Sequence, residues 1–172
     1  MHLPQMPRTN IRWLWLSAFV IVADQASKLA LVSTLKSFQV MPLMPHLNLV
    51  HMQNTGAAFS MFDRAPAAVF ILLCAVVSVA ILTWLRRHPH GQTLTAAAFT
   101  LILGGALGNA VDRAMRGYVV DFVDFYVGHW HFAAFNLADS AITLGAGLLV
   151  LEMLLDWRRA RRSGAAENGG EG

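Results

Sequence analysis

A single cysteine, Cys74, excludes an internal disulfide, and its place in the middle of an apolar run makes it a packing residue. Charge is scarce as well. Only 13% of the 172 residues are Asp, Glu, Lys or Arg, about half the share of an ordinary water-soluble domain. The sequence holds no G-x-S-x-G elbow and no H-E-x-x-H, which removes the commonest local signals for a serine hydrolase and a zinc peptidase. It holds no internal repeat either.

What is abundant is apolar: 56% of the residues are hydrophobic. A helix crossing a bilayer needs roughly 20 mostly apolar residues, and four stretches approach that length. They predict a membrane α-helical fold, a four-helix transmembrane bundle with helices at about 13–32, 67–85, 94–113 and 139–157. The first stretch is longer than the core of a cleavable signal and lacks a small-x-small site after it, so it is expected to remain as an anchor. Arg8 and Arg12 precede the first stretch, Arg86 and Arg87 follow the second, and Arg158, Arg159, Arg161 and Arg162 follow the fourth. Basic residues mark the cytoplasmic side, so both termini are expected on that side. The pI near 9.6 is then a topology signal rather than a nucleic-acid patch. Residues 1–162 form one membrane domain, expected as a monomer, and the small polar segment 163–172 is expected to be a disordered cytoplasmic tail.

This topology puts residues 33–66 and 114–139 on the outer side. In 47–52 the apolar residues run almost unbroken, and 117–135 is rich in β-branched and aromatic residues, as strands are. A small extracytoplasmic β platform is expected, at headgroup level or buried in protein, with Tyr126, Trp130 and Phe132 in the interfacial belt.

Polar residues gather at the outer helix ends: Asp24 and Lys28; Asn54; Asn109, Asp112 and Arg113; Asp121 and Asp124; Asn136 and Asp139. Each has a plain structural reading. Asp24 and Lys28 are four apart and suit an ion pair; Asp139, before Ser140, suits a helix N-cap; Asp121 and Asp124 suit strand residues facing solvent. Together they exceed what caps require, and polar groups at membrane depth point to function. Ser27 or Ser140 with Lys28 makes a poor nucleophile–base pair, since Ser27 and Lys28 lie about 100° apart on a helix. His46, His51 and the His129–His131 pair lack a metal-peptidase spacing, and no metal or cofactor is expected. What remains is a carboxylate pair sharing one proton, able to activate water against a carbonyl. The residues point to Asp139 plus one of Asp112, Asp121 or Asp124 and do not choose among them. A proton- or ion-coupled membrane carrier is the alternative reading, although the charges cluster at one interface instead of lining a path across.

Five blocks carry a family resemblance: DQASK (24–28), NTGAAFS (54–60), GGALGNAVDR (104–113), GYVVDF (117–122) and FNLADSAI (135–142). With the four-helix layout, the chain resembles the bacterial type II signal peptidases from residue 12 to 157. The resemblance implies an intramembrane aspartyl endopeptidase that removes signal peptides from prolipoproteins, cutting before a diacylglyceryl-modified cysteine, with membrane lipid as its surroundings. Its catalytic pair falls on Asp121 and Asp139. Its supporting polar residues fall on Asp24, Lys28, Asn54, Gly56, Asn109, Asp112, Arg113 and Asn136. Asp124 is left as a surface or supporting carboxylate. Where family members often have F-P-A-F-N, this chain has Ala133.

Overall fold

The computed structural model describes residues 9–56, 65–88 and 91–168, the last six as backbone only. Four helices are long and apolar enough to cross a membrane: α1 (Leu14–Thr34), α2 (Ala67–Arg87), α3 (Thr93–Arg116) and α4 (Leu137–Asn168). A short 3-10 turn, Asn10–Trp13, leads into α1. The expected spans are all present. α4 is the longest and continues to Asn168, into the stretch expected as a tail; 169–172 lie outside the described residues.

α3 is the hub, packing against α1, α2 and α4. Helices in lipid gain no hydrophobic drive from associating, so close approach depends on small residues. Gly104 shows how close: a Cβ there would lie 2.8 Å from the Val20 Cβ and 2.9 Å from the Ser17 carbonyl oxygen. Ser17 itself donates to the Thr100 carbonyl at 2.7 Å, stitching the same crossing. Overpacking of this kind costs about 1–3 kcal/mol. Gly104→Ala is therefore expected to lower the unfolding midpoint in detergent, whereas Gly147→Ala, where a Cβ meets nothing within 4 Å, should not. Equal midpoints would refute the close α1–α3 contact.

Two β segments stand at one end of the bundle, as expected. β1 (Val40–Met44), β2 (Leu47–Asn54), β3 (Val119–Val127) and β4 (Trp130–His131) form an antiparallel sheet in that order. His46 at φ 71° and Gly128 at φ 60° turn the two hairpins. The β2–β3 pairing, with Met52 opposite Asp121 and Asn54 opposite Val119, joins the two connecting segments. Both must therefore lie on the same side of the bundle. On the opposite side, the Asn10 amide donates to the His88 carbonyl at 3.2 Å, so the start of the chain and the end of α2 share the other face.

Beyond β4 the chain doubles back. Phe135 bridges to Val123, its carbonyl accepting from the amides of Phe122 and Val123 and its own N–H donating to the Val123 carbonyl at 3.1 Å. This return stroke delivers the start of α4 beside the middle of β3.

Candidate active site

Three elements bring the acidic residues together. Gly117, at φ 79°, ends α3 in the left-handed conformation that glycine adopts without strain. It turns the chain from Asp112 and Arg113 straight into β3. There Asp121 is 2% exposed. Its Oδ2 accepts from the Asn54 Nδ2 at 2.8 Å and its Oδ1 from the Asn136 Nδ2 at 2.7 Å.

Asp139 stands in the first turn of α4, three residues after Asn136. The Asp139 amide donates to the Asn136 Oδ1 at 2.9 Å, and the Asn136 amide donates to the Asp139 Oδ2 at 3.2 Å. This is a reciprocal capping box. The cap is thus Asn136, and Asp139 is its partner one turn on; the expected N-cap role of Asp139 shifts because the helix begins at Leu137. The second oxygen, Oδ1, accepts from the Asn109 Nδ2 at 2.8 Å. Each of the four carboxyl oxygens therefore holds one protein donor. That fixes both carboxyl planes and leaves each oxygen further acceptor capacity.

Both carboxyls line one cavity of about 1070 Å³, walled by Asn54, Gly56, Arg113, Val119, Phe132, Ile142 and Leu144 among others. Burial, and next the negative charge of Asp139, push the Asp121 pKa from 3.8 up to about 6, against the opposing pull of the Asn54 and Asn136 hydrogen bonds.

Behind the pair lies a fully buried ion cluster. The Lys28 Nζ is 2.8 Å from the Asp24 Oδ2, 2.8 Å from the Asp112 Oδ2 and 3.0 Å from the Asn109 Oδ1. Arg116 adds a second cation on Asp112 at 2.5 Å. The expected Asp24–Lys28 pair is there, as part of something larger. Asp24 also accepts the Ala138 amide at 3.0 Å, and Asp112 the Val120 amide at 3.3 Å. Those two residues immediately precede Asp139 and Asp121. The cluster thus yokes the two backbone segments that carry the pair.

Gln25, which sequence reasoning passed over, donates at 3.2 Å to Asp24, Asp112 and the Gly108 carbonyl. Its signals were an amide beside Asp24 in an apolar run and a place in the DQASK block. Arg113 donates to the Gly56 carbonyl at 2.5 Å and lies over the Phe70 ring, while the Gly56 amide donates to Asn54. The remainder of the NTGAAFS block, 57–60, lies outside the described residues.

The other candidates go elsewhere. Asp124, three positions from Asp121 on the strand, does not line the cavity. It is buried, not solvent-facing, because it accepts from Asn48 at 2.8 Å and pairs with His131 at 2.9 Å. His51 and His46 bond the carbonyls of Leu35 and Tyr126 through Nδ1. The hydroxyls of Ser27 and Ser140 donate to the carbonyls of Asp24 and Asn136. Neither serine meets Lys28.

The chain is similar to known proteins over most of its length. Residues 16–155 match the family model described as Signal peptidase (SPase) II. A lipoprotein signal peptidase of Alteromonas mediterranea is 42% identical over 163 residues, covering 93% of this chain and 90% of its own. One from Escherichia coli O157:H7 is 44% identical over 150 residues, covering 86% and 92%. A bacterial membrane enzyme solved by the in meso method at 2.3 Å resolution matches with a TM-score of 0.78 at 28% identity, covering 88% of this chain and 94% of that one.

Proposed function

The chain belongs to the signal peptidase II family, and from that premise we propose that it is an aspartic endopeptidase working at the membrane boundary on diacylglyceryl-modified prolipoproteins. The observation that carries this reading is the meeting of Asp121 and Asp139 in one cavity, with Asn136 hydrogen-bonded to both.

Two neighbouring buried carboxyls hold one proton between them. The ionised member takes a proton from a water molecule as the oxygen attacks the peptide carbonyl. The protonated member donates a hydrogen bond to the carbonyl oxygen as negative charge develops there. Collapse of the tetrahedral intermediate delivers a proton to the departing nitrogen and frees the new carboxyl end. Asn54, Asn109 and Asn136 keep the two carboxyl planes fixed throughout, so little reorganisation accompanies the chemistry.

The substrate class is the one the family implies, and the surroundings of the pair suit it. Val119, Phe132, Phe135, Ile142 and Leu144 give the cavity apolar walls at the end of spanning helices. Two acyl chains on a cysteine, each buried methylene contributing about 0.8 kcal/mol, would hold the scissile bond at that depth. The arginines before α1, after α2 and late in α4 support a cytoplasmic location for both termini and an outer-face site.

The test uses two synthetic peptides of one sequence, with and without diacylglyceryl on the cysteine, given to purified protein in micelles. Cleavage before the lipidated cysteine is expected, with the unmodified peptide cut far more slowly. Equal rates would refute the lipid requirement; no cleavage of either by folded protein would refute the peptidase reading.

The Asp121 pKa near 6 adds a pH signature. Activity needs the singly protonated pair, so it falls at low pH, when both carboxyls are protonated, and at high pH, when both are ionised. The raised pKa belongs to the alkaline limb. Asn54→Ala removes a donor that favours ionised Asp121, which raises that pKa further and moves the alkaline limb to higher pH. A limb that stays put or moves down in the measured pH–rate profile would contradict the assignment.

A further inference from the structure

A second cavity, about 420 Å³, lies away from the carboxyl pair, where the end of α1 meets the sheet. Its walls are Ala30, Leu31, Thr34 and Leu35 on α1 and its C-cap, with Met41, Leu49 and Phe122 on three strands. Phe122 follows Asp121 directly, so the two side chains leave opposite faces of β3. This groove and the catalytic cavity are on different sides of the sheet.

The lining is selective in an informative way. Ser27 and Thr34 are its hydroxyl residues, and both donate back to carbonyls of their own helix, Asp24 and Ala30, at 2.8 Å. With both hydroxyl protons used, the wall offers a polar ligand no side-chain donor, and a water needs two to four polar partners. Leu31 and Leu35 form a buried floor with Val120. The groove opens at its α1 rim, where Ala30 and Thr34 are exposed at the end of the spanning segment. Lys36, next after Leu35, is exposed just past the end of the span.

We propose that this groove is a binding site for one acyl chain of a bilayer phospholipid, its phosphate near Lys36, wedged beneath the sheet on the reverse of the catalytic strand. An apolar groove opening into hydrocarbon is filled by hydrocarbon, since a void forfeits the dispersion contacts of its lining. Its volume lies within the roughly 300–1,000 Å³ of small-ligand sites. The occupant belongs to the membrane rather than the substrate, because the scissile bond must reach Asp121 on the other face.

The experiment is photolabelling in phosphatidylethanolamine–phosphatidylglycerol vesicles containing a phospholipid with a diazirine on one acyl chain, followed by peptide mapping. Labels are expected to concentrate at Ala30, Thr34, Met41, Leu49 and Phe122, above those on the exposed α2 residues Leu72 and Val76. Ala30→Trp, which fills the groove from its exposed rim, should abolish those labels and keep the α2 labels. Uniform labelling of all exposed apolar surface by the wild-type protein would overturn the site, whether or not the variant folds. Displacement of the label by a diacylglyceryl peptide would reassign the groove to substrate, and crosslinks between copies of the chain would reassign it to self-association; either result overturns the proposal.

Discussion

Asp121→Asn and Asp139→Asn are each expected to lose prolipoprotein cleavage by on the order of 10²–10⁴-fold or more, the size of a general acid–base contribution. An amide can neither take a proton from water nor carry the shared one. Both variants should remain folded, since Asn has nearly the shape of Asp and keeps an oxygen to accept one of the two protein donors. The cost is modest, about 1–3 kcal/mol for the donor left facing an NH₂ group. Asp124→Asn is the control: its carboxyl lies outside the cavity, on Asn48 and His131, and near-normal cleavage is expected. Rates of all three variants on a lipidated peptide, with helical content measured alongside, decide the matter. Near-normal activity in either member of the pair would remove the proposed mechanism.

The second large effect is on stability. Lys28→Met is expected to destabilise the protein by about 3–5 kcal/mol, because removing one partner of a buried ion cluster leaves charge uncompensated. Asp112 keeps Arg116, but Asp24 keeps only the amides of Gln25 and Ala138. For a chain of this size the loss corresponds to a fall in Tm on the order of 10 °C. Adding Asp24→Asn removes the stranded charge while retaining an acceptor for the Ala138 amide. The double variant should therefore recover part of the lost Tm, a non-additivity that residues in one network produce. If the second substitution lowers Tm further by its own separate amount, the cluster is not the coupled unit its geometry describes.

The fold was legible because its signals are coarse and strong. Twenty-residue apolar stretches have few alternatives, and the β-branched, aromatic runs near 47–52 and 117–135 form strands, as their composition indicates. The pair was less so. Asp112, Asp121 and Asp124 are equivalent in residue type and close in sequence, and what separates them is strand pairing and the turn at Gly117. Family resemblance pointed to Asp121, and the geometry puts Asp121 and Asp139 in one cavity. Roles that depend on hydrogen-bond direction were not legible. Asn136 as the cap, Gln25 inside the ion cluster and the burial of Asp124 all rest on contacts between separate elements or on where a helix begins.

The reciprocal hold between Asn136 and Asp139 exists only once the first turn of α4 is wound. Under the proposed mechanism this sets an order in time. A chain emerging from the ribosome with three spans already inserted carries Asp121 but no opposing carboxyl, so it cannot hydrolyse anything. Proteolytic competence arrives with the last span to enter the bilayer, and premature termination before residue 139 yields an inert polypeptide rather than an unregulated protease.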